Sequence, residues 1–238
     1  MKRYTKLLGG VLATALIAAL STAALANGMR PETTVIVLDE ADGETSINVT
    51  NTDAGPALLY SKIEDIPEDK ESLVALTPPV MRVEGGKTQM VRFLNQSKAP
   101  LKTQRLKRVT FEGIPQHESG TARIAVTVSQ NIPLLLHPKG LAKNREPWKL
   151  LQWSVEGDQL VVRNDSAYVV RLAQSVKLKP QGTEVSLPRT YVLPGDTLTL
   201  PLPAGATTAE GVTLFPATVY GYAVDSYDAP LTPATQRS

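Results

Sequence analysis

Thr33-Thr34-Val35-Ile36-Val37-Leu38, then Asp39-Glu40-Ala41-Asp42-Gly43, then Thr45-Ser46-Ile47-Asn48-Val49-Thr50 is the stretch whose reading decides the fold. A β-branched run, a turn rich in Asp and closed by Gly, and a strictly alternating run succeed one another with no helical pattern between them. Within residues 45–50, Ile47 and Val49 fall on one face and Ser46, Asn48 and Thr50 on the other. That period of two is the signature of a half-buried antiparallel strand. Working outward, similar short runs occur at 57–63, 73–76, 88–94, 108–112 and 124–132, punctuated by Pro78-Pro79, Gly85-Gly86 and Pro115. No segment keeps a helical repeat for more than about two turns.

The pattern lapses around His137-Pro138-Lys139-Gly140, and residues 139–147 are basic, polar and aperiodic, as an interdomain linker would be. A second β series follows at 150–155 and 159–163, a hairpin about Glu156-Gly157-Asp158, and then at 167–172, 175–178, 185–187, 197–202 and 218–224. Pro180, Pro188, Pro194, Pro201 and Pro203 belong at strand ends, bulges or edges, because proline has no N–H to give a ladder. The Pro- and Thr-rich tail from Asp228 is expected to fray. The whole predicts an all-β chain of two β-sandwiches in series: a first domain over 27–138, a linker over 139–147 and a second domain over 148–238.

The N-terminus predicts export. Lys2, Arg3 and Lys6 precede an apolar, alanine-rich run from Leu7 to Leu25, and Ala24-Leu25-Ala26 is a small-x-small cleavage pattern. Residues 1–26 therefore read as a signal peptide and Asn27 as the first mature residue. An uncleaved anchor is the alternative, since the run approaches the shortest bilayer span of about 17 residues. Nothing later is long and apolar enough to span, so no membrane insertion is expected after cleavage. The chain has 0 Cys, which excludes a disulfide framework, a thiolate nucleophile and a zinc–thiolate site. Lys and Arg are scattered, with a formal net charge of +2, so there is no electrostatic footprint for nucleic acid. An aromatic content of 5% offers no stacking platform for single strands.

Catalytic patterns are missing as well. His117 and His137 lie far apart and read as a loop residue and a strand-end residue. No Gly-x-Ser-x-Gly elbow occurs. Gly85-Gly86-Lys87-Thr88 has the ending of a phosphate loop, but Met81 stands where the first glycine is needed and the segment joins two strands, so it reads as a hairpin turn. Glu64, Asp65, Glu68 and Asp69 form an acidic cluster that reads as solvated loop surface. These residues predict no enzyme, no metal site and no cofactor.

The most informative segment runs from Arg123 to Pro138. Ile124, Val126 and Val128 alternate with Ala125, Thr127 and Ser129, and Ile132 leads into Leu134-Leu135-Leu136. In an extended strand Ile124, Val126 and Val128 share a face, which suits an ordinary core strand as well as an open one. Thr77-Pro78-Pro79-Val80-Met81-Arg82-Val83-Glu84-Gly85-Gly86 resembles the Thr-Pro-Pro-x-x-Arg-hydrophobic-Glu-Pro-Gly turn of the periplasmic chaperones of the chaperone–usher pilus pathway. Arg92 in Met90-Val91-Arg92-Phe93 fits the hydrophobic-Arg pair that follows, and Phe111-Glu112-Gly113-Ile114-Pro115 resembles the family's strand ending in Ile-Pro. Weaker echoes lie in Asn164-Asp165-Ser166-Ala167-Tyr168-Val169-Val170 and in Val192-Leu193-Pro194-Gly195.

The resemblance implies two immunoglobulin-like β-sandwich domains with an interdomain cleft, a Gram-negative periplasmic location and no cofactor. It implies pilus or fimbrial subunits and an outer-membrane usher as partners, and a free form that is a monomer or a weak self-associated dimer. A pilus subunit is an immunoglobulin-like fold missing its last strand, and the chaperone completes it by β-augmentation. By position, the donated residues are Ile124, Val126, Val128 and Ile132. Many members grip the subunit's terminal carboxylate with an arginine before a first-strand Val-Ile pair and a lysine late in the donor strand; here Thr34 and Pro133 stand in those places. Ile132-Pro133-Leu134 instead resembles the divergent branches called archaic or alternative, where an arginine on the strand ending in the hydrophobic-Pro motif is the candidate anchor. That match makes Arg108 the candidate here, with Arg105 and Arg30 in reserve, and a purely structural ion-pair role for Arg108 stays open. The alternative function is an immunoglobulin-like structural or adhesive subunit of a surface fibre, which would lack a strand that the first domain here reads as having.

Overall fold

In the first half of the chain, alternating apolar residues meet across two facing sheets. A computed structural model describes residues 28–115, 128–203, 205, 208–219 and 224–232. Strands β1 (Met29–Pro31), β3 (Glu44–Asn51), β5 (Val74–Thr77) and β7 (Thr88–Asn95) form one sheet in the order β1-β3-β7-β5, with Ile47 opposite Val91. Strands β2 (Ile36–Asp39), β4 (Ala57–Glu64), β6 (Val80–Val83), β8 (Arg105–Pro115) and β9 (Ser129–His137) form the other, in the order β2-β9-β8-β4-β6. Val49, Phe93, Phe111, Leu134 and Leu136 are completely buried between the two sheets. Each such aliphatic or aromatic side chain contributes about 1.5–3 kcal/mol to holding the sandwich closed.

The first strand is split between the sheets. β1 pairs antiparallel with β3, the chain crosses over residues 32–35, and β2 then pairs parallel with β9, Ile36 opposite Leu134 and Asp39 opposite His137. The Gly85-Gly86 turn also passes between sheets, from β6 to β7, so it is not the hairpin that the sequence predicts. Gly86 has φ 69°, and a Cβ on Gly85 would run into the Ala54 carbonyl oxygen, so the crossing needs glycine at both places.

The second sandwich closes on Trp153, Leu160, Val162, Leu178 and Val212. Its larger sheet has the order β14 (Thr183–Ser186), β13 (Ser175–Lys179), β17 (Gly211–Leu214), β18 (Tyr227–Thr232), β10 (Gln152–Glu156), β11 (Gln159–Arg163), β16 (Thr197–Pro201). A smaller pair joins β12 (Val170–Arg171) to β15 (Tyr191–Val192). The hairpin at Glu156-Gly157-Asp158 is present, with Gly157 at φ 64°. Two expectations are corrected. The strand predicted over 218–224 does not begin at Thr218: Thr218, Val219 and Val224 lie outside any strand, and 220–223 lie outside the described residues. The tail from Asp228 does not fray through Thr232, because β18 is clasped between β17 and β10 and buries Ala229. Among the described residues, no helix is long and apolar enough to cross a membrane.

The two sandwiches meet on a small apolar cluster of Val35, Ile66, Leu106, Leu135 and Val169. Gln104 stitches it. Its backbone N–H donates to the Ala167 carbonyl (2.8 Å), its Oε1 accepts from the Val169 N–H (2.9 Å), and its Nε2 lies 2.9 Å from Nδ1 of His137. His137 Nε2 donates to the Leu141 carbonyl (2.8 Å), which assigns the Gln104 contact to an accepting Nδ1. His137 is thus a buried structural pin between the last strand of the first sandwich and the segment that follows.

Candidate functional site

The split first strand creates the feature that stands out. β9 pairs with β8 along its whole length, Ser129 opposite Glu112 through Leu136 opposite Arg105. On its other side β2 covers only Leu134–His137. No described strand pairs with residues 129–133 on that side, so one edge of the ladder is open. Pro133, the last residue before the covered portion, fits there because an edge position does not require its missing N–H.

Alternation sets what this edge presents. Ile132 lies opposite Val109 and is buried, and Gln130 and Val128 share its face and are half-buried. Ser129 and Asn131 point the other way and are exposed. Where the chain crosses between β1 and β2, a groove of about 380 Å³ opens beside this face, lined by Gly28, Arg30, Thr33, Thr34, Gln130 and Ile132 among others. Thr34 is therefore on the groove wall. Ile124 and Val126 lie outside the described residues, Val128 immediately precedes β9, and Ile132 is within it.

The candidate anchors separate by strand face. Arg105 and Lys107 share the face of β8 that carries Val109 and Phe111, and there they meet acids. Arg105 holds Asp69 through two hydrogen bonds of 2.7 Å and reaches Glu71 at 3.1 Å. Lys107, only 1% exposed, donates to Asp65 Oδ1 (2.7 Å) and the Asp69 carbonyl (2.9 Å), and is 3.1 Å from Asp69 Oδ1. Burial works to raise the Asp69 carboxyl, but hydrogen bonds from Arg105, the Glu71 N–H and Lys107 prevail and hold it below its ordinary value. The hydrogen bond to Asp69 in turn raises Arg105. The acidic cluster read as solvated surface is therefore partly a buried ion-pair network, a correction for Asp69 in particular. Arg105 is engaged in it through Nε and Nη2.

Arg108 is on the opposite face of β8, opposite Pro133. Its Nε donates to Asn131 Oδ1 and its Nη2 to the Asn131 carbonyl (2.7 Å), while Asn131 Nδ2 reaches Thr110 (2.9 Å) and Glu64 (3.2 Å). Arg108 thus stands beside the open edge with no carboxylate partner among the described residues. The cleft continues onto the second domain. Glu68 joins Arg189 and accepts from the Tyr191 hydroxyl (2.8 Å). Burial opposes it, but those contacts lower Glu68, while burial and the Glu68 hydrogen bond push Tyr191 up to about 12. Among the described residues no group of His, Cys, Asp and Glu could hold a metal ion. Lys107, Gln104 and the Glu68–Arg189 pair carry no sequence signal of their own, since each is recognisable only from what the fold places beside it.

Comparison with known proteins agrees with this architecture. Residues 28–142 match the family model for the pili and flagellar-assembly chaperone PapD N-terminal domain, and residues 146–226 that for the pili assembly chaperone PapD C-terminal domain. A fimbrial chaperone of Escherichia coli, YhcA, is 46% identical over 204 residues, covering 85% of this chain and 90% of that protein. The chaperone protein LpfB of Salmonella typhimurium is 26% identical over 201 residues, covering 81% and 84%. Among solved structures, the Escherichia coli chaperone DraB superposes with a TM-score of 0.71 at 23% identity, covering 86% of this chain and 99% of its own. The SafB chaperone in complex with the Salmonella enterica SafA pilin gives 0.71 at 19%, covering 88% and 99%. At these identities the structures speak for the fold, while the family models and YhcA speak for descent, and the chain belongs to the PapD family of pilus-assembly chaperones.

Proposed function

We propose that this chaperone works by lending the N-terminal part of its β9 strand, with the residues that precede it, to a fimbrial subunit in the periplasm, and then delivers that subunit to an outer-membrane usher. The observation that carries this reading is the open edge of β9 at residues 129–133 beside the groove. An unpaired row of backbone N–H and C=O groups accepts an added strand, and the alternating side chains beneath it supply specificity. Ile124, Val126, Val128 and Ile132 are the side chains assigned to the subunit's groove, each able to contribute about 1.5–3 kcal/mol before ordering costs. Arg108, beside the covered end of the edge, is the assigned carboxylate anchor, and Arg105, held by Asp69 and Glu71, is the weaker candidate. The leader read at 1–26 would bring the chain to the periplasm, where it acts as a binding protein without catalysis.

The test is periplasmic co-expression with a fimbrial subunit encoded beside the chaperone gene, comparing the wild type with the Ile124→Glu/Val126→Glu variant. Co-purification should fall at least tenfold, because a charge would enter an apolar groove. Equal capture by the two would remove the strand-lending assignment.

A further inference from the structure

One residue on the lending face of β9 is out of character. Val128 and Ile132 are aliphatic and share that face, and Gln130 stands between them on the same side. It is half-buried and lies opposite Phe111, which is completely buried in the first core. Among the described residues the Gln130 side-chain amide has no hydrogen-bond partner. Its surroundings explain why. Phe111 and Ile132 offer none, and Gly28, just before β1, brings no side chain; a Cβ there would lie 3.6 Å from the Cβ of Val128. Two of the threonines on the groove wall are already engaged. Thr33 donates its hydroxyl to the Val35 carbonyl (2.8 Å), and Thr52 donates to the Gly28 carbonyl (2.8 Å) and accepts from the Gly28 N–H (2.9 Å). In the free protein the amide turns to water in the open groove.

A strand laid on the open edge changes that balance. It closes the groove beside residues 129–133, so Gln130 comes to lie in the seam between the first core and the core of the cargo. An amide shut away from water is disfavoured unless new hydrogen bonds replace those it loses. An apolar cargo side chain at that place leaves the amide unpaired, and an ionised one brings in a charge faced only by a neutral group. The amide of Asn or Gln, or the hydroxyl of Ser or Thr, both donates and accepts and so suits Oε1 and Nε2 alike. We infer that Gln130 is the specificity-determining residue of the lent strand: it selects, and holds in register, a subunit that presents an amide or hydroxyl side chain against it. A slip of the pairing leaves both groups unpaired, much as a single buried Asn fixes the register of paired helices. The inference rests on the strand-lending reading, which supplies the seam. The aliphatic residues of the strand then provide the attraction and Gln130 the choice.

The test uses the full chaperone and the subunit that it captures on periplasmic co-expression. Gln130→Leu should speed dissociation of that subunit on the order of tenfold, because the cargo's polar group is then left unpaired in the seam. Without subunit, Gln130→Leu should melt no lower than the wild type, since nothing in the fold pairs with the amide. Asn, Gln, Ser and Thr residues on the subunit strands that border its groove are then changed to Val one at a time. At one position the change should speed release from the wild type about tenfold, yet return release from Gln130→Leu toward the wild-type rate, because two apolar groups now meet. Dissociation unchanged or slowed by Gln130→Leu, a lowered melting temperature, or equal losses from both chaperones at every position would each overturn the role of Gln130 and leave strand lending intact. Equal capture by the wild type and the Ile124→Glu/Val126→Glu variant would overturn both together.

Discussion

Strand β8 carries cations on both faces, and the two sets have opposite surroundings. On the core side, Arg105 and Lys107 meet Asp65, Asp69 and Glu71, each cation with more than one oxygen partner. On the cleft side, Arg108 is held only by the neutral Asn131, and Arg171 of the second domain keeps a buried N–H without an acceptor among the described residues. Lys107 on one side and Nη1 of Arg171 on the other are both buried, so the difference lies in what compensates for that burial. The first network compensates internally and holds the loop at 65–71 against the sandwich. The second has no acid among the described residues to compensate its charges.

The largest effect that probes this contrast is Asp69→Ala. It strips Lys107 and Arg105 of their shared partner, and a buried pair broken from one side costs about 3–5 kcal/mol, to be read by urea unfolding of the purified protein. A loss below about 1 kcal/mol would mean that the core-side network is no better compensated than the cleft. Acid should act in the same direction. Asp69 is held below its ordinary value of 3.8, so its contribution is complete above that pH and disappears as pH falls through the lower folded value. The wild type should therefore lose stability below pH 3.8 more steeply than an Asp69→Asn variant in parallel thermal melts. Glu68→Gln, which weakens a partly exposed interdomain contact, should cost about 0.5–1 kcal/mol and raise amide exchange around Tyr191. Arg108→Ala should be smallest in the free protein, within about 0.5 kcal/mol of wild type. A larger value would place Arg108 with the structural cations and dissolve the contrast.

Much of the fold was legible because it is written in short-range pattern. The alternation of Ile47 and Val49 announces β3, Glu156-Gly157-Asp158 announces its hairpin, and the run at 88–94 coincides with most of β7. What pattern does not carry is which strand lies beside which. Thr33 to Leu38 reads as one strand, yet pairing begins only at Ile36, since the preceding residues cross between sheets. The Pro- and Thr-rich tail looked unpaired because composition does not show that Ala229 will find a core. The same limit governs the site. Arg108 was singled out by resemblance alone, whereas the open edge of β9 arises from where β2 stops. Ile124 and Val126, on which the sequence reading leaned most, lie outside the described residues.

The split first strand also bears on how the protein comes to be folded. β2 lies near the start of the first domain, yet its partner β9 is the last described strand of that domain, with Ile36 opposite Leu134. Closing so long a loop is slow, because the chain entropy is lost before the pairing compensates for it. The second domain begins instead with a local hairpin, Glu156 opposite Gln159. That pairing must wait for nearly all of the first domain's residues, and because β2 covers only Leu134–His137 it leaves residues 129–133 of β9 unpaired on the side away from β8. The open edge of β9 is thus defined only once the most distant segments of the first domain have paired.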